Sequence, residues 1–92
     1  MFRKINDAEV WSDSGFKVRY GKNSLTYKTD NEVIIVDIEH MVSPYQLVIF
    51  HETLSEIDKQ GERKHIDSIR SRNIIDKIKE SLDFLQIDYD ID

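Results

Sequence analysis

Around Leu85 the chain changes its hydrophobic period from that of a helix to that of a strand. Ile74, Ile75, Ile78, Leu82 and Leu85 recur at the spacing of one helical face, and Ile87, Tyr89 and Ile91 then alternate strictly with Asp88, Asp90 and Asp92. At about 100° per residue the five apolar positions fall within an arc of roughly 100°, with Asp76, Glu80 and Asp83 grouped nearly opposite. Asn73 stands where an N-cap is expected and Asp76 three positions on, so the spacing predicts a helix that starts at Asn73. The strand that follows has a polar side made entirely of aspartate.

The rest of the chain reads mostly as strands. Phe16, Val18 and Tyr20 alternate with Lys17 and Arg19, and Leu25 and Tyr27 with Thr26 and Lys28, across Gly21-Lys22-Asn23, a hairpin pattern. A second tight connection is expected at Thr29-Asp30-Asn31-Glu32. After it Val33 to Ile38 is nearly continuous β-branched sequence, which predicts a strand covered on both faces. A loop from His40 to Pro44 and a strand from Tyr45 to Phe50 follow, and Ala8 to Ser12, around Trp11, suggests an edge strand. Glu52 to Arg72 is dominated by charge, with Leu54, Ile57, Ile66 and Ile69 as its apolar anchors; Gly61 divides it into short helices or ordered loops. The expected fold is α+β: an antiparallel meander of about four to six strands, a C-terminal amphipathic helix packed on one face, and a final short strand.

Ninety-two residues make one domain, 1–92, with a single modest core. There is no cysteine, so neither a disulfide framework nor a thiolate metal site is open to it. Met1 to Val10 lacks the apolar run of a signal peptide, and no run approaches membrane-spanning length, which predicts a soluble, unprocessed, cytoplasmic protein away from membranes. His40, His51 and His65 have no HExxH or HxH spacing; there is no Gly-rich phosphate loop and no GxSxG elbow. The carboxylates of Asp37 and Glu39 share a strand face without a base beside them in sequence. No enzyme, no metal and no cofactor is expected.

Charge points to a macromolecular partner. Residues 1–46 hold seven acids against six bases, whereas 47–92 hold eleven against seven, so the net charge of −5 lies in the second half. From Asp83 onward there are four aspartates and neither lysine nor arginine. Aspartate is depleted in strands, and three at alternate positions oppose local propensity. Edge protection explains them on purely structural grounds, as simple solvation explains the helical ridge. A surface that steers a cationic partner explains both. The partner-binding candidates are Asp76, Glu80, Asp83, Asp88, Asp90 and Asp92, with Phe84 or Tyr89 as apolar anchor and the loop acids Glu52, Glu56 and Asp58 in reserve. Acidity argues against direct nucleic-acid binding. The alternative is a small nucleic-acid-binding regulator that works through the basic stretch Arg63 to Arg72, with Lys64, His65 and Arg70, and through the hairpin face of Lys17, Arg19 and Lys28. A subunit of a larger assembly fits the same composition.

The run Tyr45-Gln46-Leu47-Val48-Ile49-Phe50, the segment Arg72-Asn73-Ile74-Ile75-Asp76-Lys77-Ile78, Leu82, and the closing Ile87-Asp88-Tyr89-Asp90-Ile91 resemble small immunity proteins of bacterial polymorphic toxin systems. The resemblance covers about half the chain. It implies a cytosolic α+β protein that binds and neutralises a cognate toxin domain, commonly a nuclease delivered by contact-dependent growth inhibition. A nuclease that grips phosphate is basic at its active site, and carboxylates set where phosphates would lie can occupy that surface.

Overall fold

A computed structural model describes residues 1–41 and 46–92. The loop reading at 42–44 and the strand start at Tyr45 lie outside the described residues. The order is β1 (Phe2–Asn6), β2 (Glu9–Ser12), β3 (Phe16–Tyr20), β4 (Ser24–Lys28), β5 (Val33–His40), β6 (Leu47–Ile57), β7 (Arg63–His65), α1 (Ser68–Phe84) and β8 (Tyr89–Ile91). β1 to β7 pair antiparallel in sequence order, and β8 joins β6 in parallel. The α+β class and the C-terminal helix stand as expected, but the sheet has eight strands rather than four to six.

One face of the sheet packs on α1. Val10, Phe16, Val18, Leu25, Tyr27, Ile34, Val36, Ile38, Leu47 and Ile49 point inward and meet Ile74, Ile75, Ile78 and Leu82. The helical stripe read from the sequence is therefore the stripe that is buried. An aromatic row runs beneath its C-terminal half, with ring centroids 5.5 Å apart for Phe2 and Phe84, 6.0 Å for Phe2 and Phe16, and 5.2 Å for Phe16 and Tyr27. The Lys77 ammonium lies 5.7 Å from the centre of the Phe16 ring.

Several elements depart from the sequence reading. β1 is an additional strand outside β2, so the segment around Trp11 is interior to the sheet. Phe2 is the one β1 side chain that turns toward the core, too little apolar alternation to announce a strand. β5 is not covered on both faces. Ile34, Val36 and Ile38 are buried, while Val33, Ile35 and Asp37 are half-exposed on the face away from α1. The charged stretch 52–72 contains two strand segments that its pattern did not announce: β6 runs on to Ile57, the chain turns at Gly61 and returns as β7, and α1 starts at Ser68. Gly61 has φ of +83°, which favours glycine there. Asp58 fastens this turn by accepting the Gln60 and Glu62 amides at 2.9 and 2.8 Å.

A bulge in β6 hides its continuity. Ile35 pairs with Ser55 but Asp37 pairs with Phe50, so the alternation slips between the two halves of the strand. Thr53 holds the bulge: its hydroxyl donates to the Phe50 carbonyl at 2.7 Å and accepts the Asp37 amide at 2.8 Å. The two halves then carry different partners on their outer edge, β8 at Leu47–Ile49 and β7 at Ser55–Ile57.

Helix α1 is capped six residues before the predicted N-cap Asn73, because Asp67 accepts the Arg70 amide at 2.9 Å. Its first turn shows no inward apolar residue, since Ile69 is 78% exposed, so periodicity alone missed it. At the other end Gln86 adopts φ of +60°. Its amide donates to the Asp83 carbonyl at 3.1 Å and the Ile87 amide to the Leu82 carbonyl at 3.0 Å, a Schellman stop with glutamine where glycine is usual. This turn delivers the chain into β8.

Candidate functional site

The acidic candidates sit on two neighbouring elements. Asp76, Glu80 and Asp83 lie on α1 opposite its buried stripe, and Asp88, Asp90 and Asp92 alternate along and beside β8 with half-buried Tyr89 and Ile91. All six carboxylates are exposed, and none takes part in an ion pair among the described residues. Their backbone is firmly held. The Asp88 carbonyl accepts the Gln46 and Leu47 amides at 3.0 and 3.2 Å, and the Asp92 amide donates to the Ile49 carbonyl at 2.8 Å. His51 Nδ1 stands 2.5 Å from the Asp92 main-chain oxygen. The sheet thus fixes the strand while leaving its aspartate side chains to solvent.

The two aromatic candidates play different parts. Tyr89 is half-buried in register with Leu47 on the helix side, and its phenol is pushed above its ordinary value by burial and then by the Asp83 carboxylate beside it. It ties β8 to the end of α1 more than it projects. Phe84 is 43% exposed with one ring face on Phe2, which leaves an apolar surface next to Asp83 in sequence. Met41 adjoins the same edge: its amide donates to the Gln46 carbonyl at 2.9 Å, its side chain is 41% exposed, and Gln46 in turn holds Asp88. Only the pairing of distant segments brings it there, so no local pattern announces it.

The reserve acids divide. Glu52 is exposed on the β6 bulge and lines a shallow cavity of about 420 Å³ with Asp37, Phe50, Thr53 and Asp92, which extends the acidic edge. Glu56 is spent internally, in an ion pair with Arg70 at 2.9 Å. Asp58 is spent in its turn. The Glu62 amide, outweighing an opposing desolvation and aided by the Gln60 amide and Lys64, holds its carboxyl below the ordinary range.

The basic stretch from Arg63 to Arg72 is largely consumed inside the fold. Arg70 is clamped by Glu32 and Glu56, Arg63 reaches Asp37 at 3.5 Å and the Thr53 carbonyl at 2.6 Å, and Lys64 reaches Asp58 at 3.7 Å. Arg72 is exposed beside His51, Ser68, Ser71 and Ile91 in a cavity of about 360 Å³. His40 Nε2 is held 2.7 Å from the Gly21 carbonyl oxygen. Among the described residues no group of three His, Cys, Asp or Glu side chains is placed to hold a metal ion, and no helix is long and apolar enough to cross a membrane.

The arrangement offers two sets of fixed anions, Asp76, Glu80 and Asp83 on the solvent side of α1 and Asp88, Asp90 and Asp92 on the sheet face away from it, with a partly exposed aromatic and a methionine nearby, surfaces suited to a large cationic partner that reaches round the β8 edge. The chain matches no family model, no curated protein and no solved structure.

Proposed function

We propose that this protein is a cytoplasmic immunity protein that binds a cognate bacterial toxin domain, a basic nuclease, and neutralises it by covering its cationic surface with the acidic edge of α1 and β8. The observation that carries this reading is the set of six exposed carboxylates without internal counterions, in a molecule whose Arg63, Lys64 and Arg70 are already paired with other acids. Helix electrostatics add support. Asp83 lies in the last turn of α1, which has no basic residue, and there a carboxylate opposes the helix dipole. Like charges at Asp76 and Glu80, four residues apart, add a few tenths of a kcal/mol against the helix. Local stability does not favour Asp83 or the Asp76 and Glu80 pair, which supports recognition of a basic protein as their role. The resemblance to immunity proteins noted for residues 45–50 and 72–91 agrees with this reading.

The first test is whether the gene directly upstream ends in a toxin-type domain; its absence would count against this reading, and its presence supplies the partner, of which two things are asked. Co-expression should restore growth, and the purified pair should form a 1:1 complex. Converting Asp88 and Asp90 together to Lys should slow association at least about tenfold and abolish protection. Protection by that double variant equal to wild type would refute the acidic edge as the contact surface. A domain of neutral or acidic surface would refute the nuclease assignment.

A further inference from the structure

On the side of the sheet away from α1, the register builds a second charged surface of opposite sign. Arg3 pairs with Trp11, Trp11 with Lys17, and Lys17 with Lys28, so one row crosses β1 to β4 as cation, indole, cation, cation. Arg19 stands one pleat further along the same face, opposite Thr26. All four cations are exposed and none forms an ion pair among the described residues. Glu9, in register with Arg19, lines a cavity with Lys17, Arg19 and Lys28, and Asp7 pairs with Lys4 beside Trp11, so Arg3, Lys17, Arg19 and Lys28 still leave this end of the sheet with a positive excess. The Trp11 indole is 37% exposed and lines a shallow cavity of about 420 Å³ with Arg3, Lys4 and Ile5.

We infer that this open face is a platform for single-stranded nucleic acid, with phosphates on Arg3, Lys17, Arg19 and Lys28 and a base stacked on Trp11. Three observations favour that occupant over an acidic protein. The surface is shallow and open, as an extended strand requires. Its exposed aromatic is flanked by cations on both sides along one row, which matches a chain that alternates anionic groups with flat rings. Lys17 and Lys28 face one another directly, an arrangement a sheet disfavours unless an external polyanion lies between them. The overall negative charge weakens this binding without preventing it. The ridge of Asp76, Glu80 and Asp83 lies on the far side of a helix about 10 Å across, beyond the Debye length of about 8 Å at physiological salt; of the acids that share the open face, Asp37 is paired with Arg63, and Asp90 stands on β8, three strand spacings of about 4.8 Å from β4.

Trp11 is the single tryptophan of the chain, so intrinsic fluorescence excited beyond the absorption of its tyrosines reads this site alone. Titrating the whole protein at about 50 mM salt with an oligothymidylate of about twelve nucleotides should quench it in a saturable way. In anisotropy with the same oligonucleotide labelled, Trp11→Ala should weaken binding roughly 5- to 150-fold. Lys17→Gln with Lys28→Gln, two exposed changes, should weaken binding and lower the salt slope by about 1.4. Inorganic polyphosphate, which has no bases, and polyglutamate serve as controls and should bind more weakly. Absence of quenching would overturn the inference, as would polyglutamate or polyphosphate binding as tightly as the oligonucleotide. So would affinity for the oligonucleotide that is indifferent to Trp11.

Discussion

Lys17 and Lys28 occupy directly opposed positions on neighbouring strands, where like charges repel. Lys28→Glu should therefore raise stability by about 0.5 to 1 kcal/mol in urea unfolding, while loss of nucleic-acid affinity in the same variant would separate what the fold needs from what the face is for. Arg70 shows the opposite relation. It is half-buried between Glu32 at the β4–β5 turn and Glu56 on β6, and so pins the first turns of α1 to the end of the sheet. Arg70→Ala should cost about 1 to 2 kcal/mol because two carboxylates are left without their cation. Arg70→Lys should recover only part, since an ammonium cannot fork between two acceptors. The sequence made Arg70 and Arg63 look like members of a basic patch, because charge was visible there and pairing was not. Their partners Glu32, in the β4–β5 turn, and Asp37 and Glu56, in strands, lie more than ten positions away.

The helix and the strands of alternating pattern were legible because their burial follows their period. The buried face of α1 is the one its spacing dictates, the β3–β4 hairpin turns where Gly21 donates its amide to the Ser24 carbonyl at 2.8 Å, and Asp88, Asp90 and Asp92 are all exposed as alternation demands. β1 and the second half of β6 were not legible. β1 is too polar, and the Thr53 bulge shifts β6 out of phase, so each exists through its pairing rather than its pattern. The ends of α1 offer a direct check on what stops and starts it. Asp67→Ala should cost about 1 kcal/mol by removing the cap on the Arg70 amide. Gln86→Gly should gain up to about 1 kcal/mol by relieving a left-handed backbone that glycine adopts freely. Both are read from thermal or urea midpoints, and a fall on Gln86→Gly would mean that the glutamine side chain holds the turn.

At the scale of the molecule, charge is sorted by element: cations on the open side of β1 to β4, anions on the solvent side of α1 and on β8, beyond β6 at the other end of the sheet. Its stability should narrow at both ends of the pH range. Asp58, held low in the folded state, contributes stability that is full above the ordinary carboxylate range and drains away as pH falls through it. Tyr89, held high, contributes stability that is full below the ordinary phenol range and is lost as pH rises through it. Asp58→Asn should flatten the acid limb of a urea-midpoint profile and Tyr89→Phe the alkaline limb, each leaving the other unchanged. The parallel attachment of β8 adds a kinetic consequence. Its three register partners, Leu47, Val48 and Ile49, lie some forty residues earlier, so this short ribbon is expected to dock after the meander and helix have assembled. Amide deuteration at Tyr89 to Ile91 should outpace that of β4 and β5 in the free molecule, and a bound toxin that grips those aspartates would slow it.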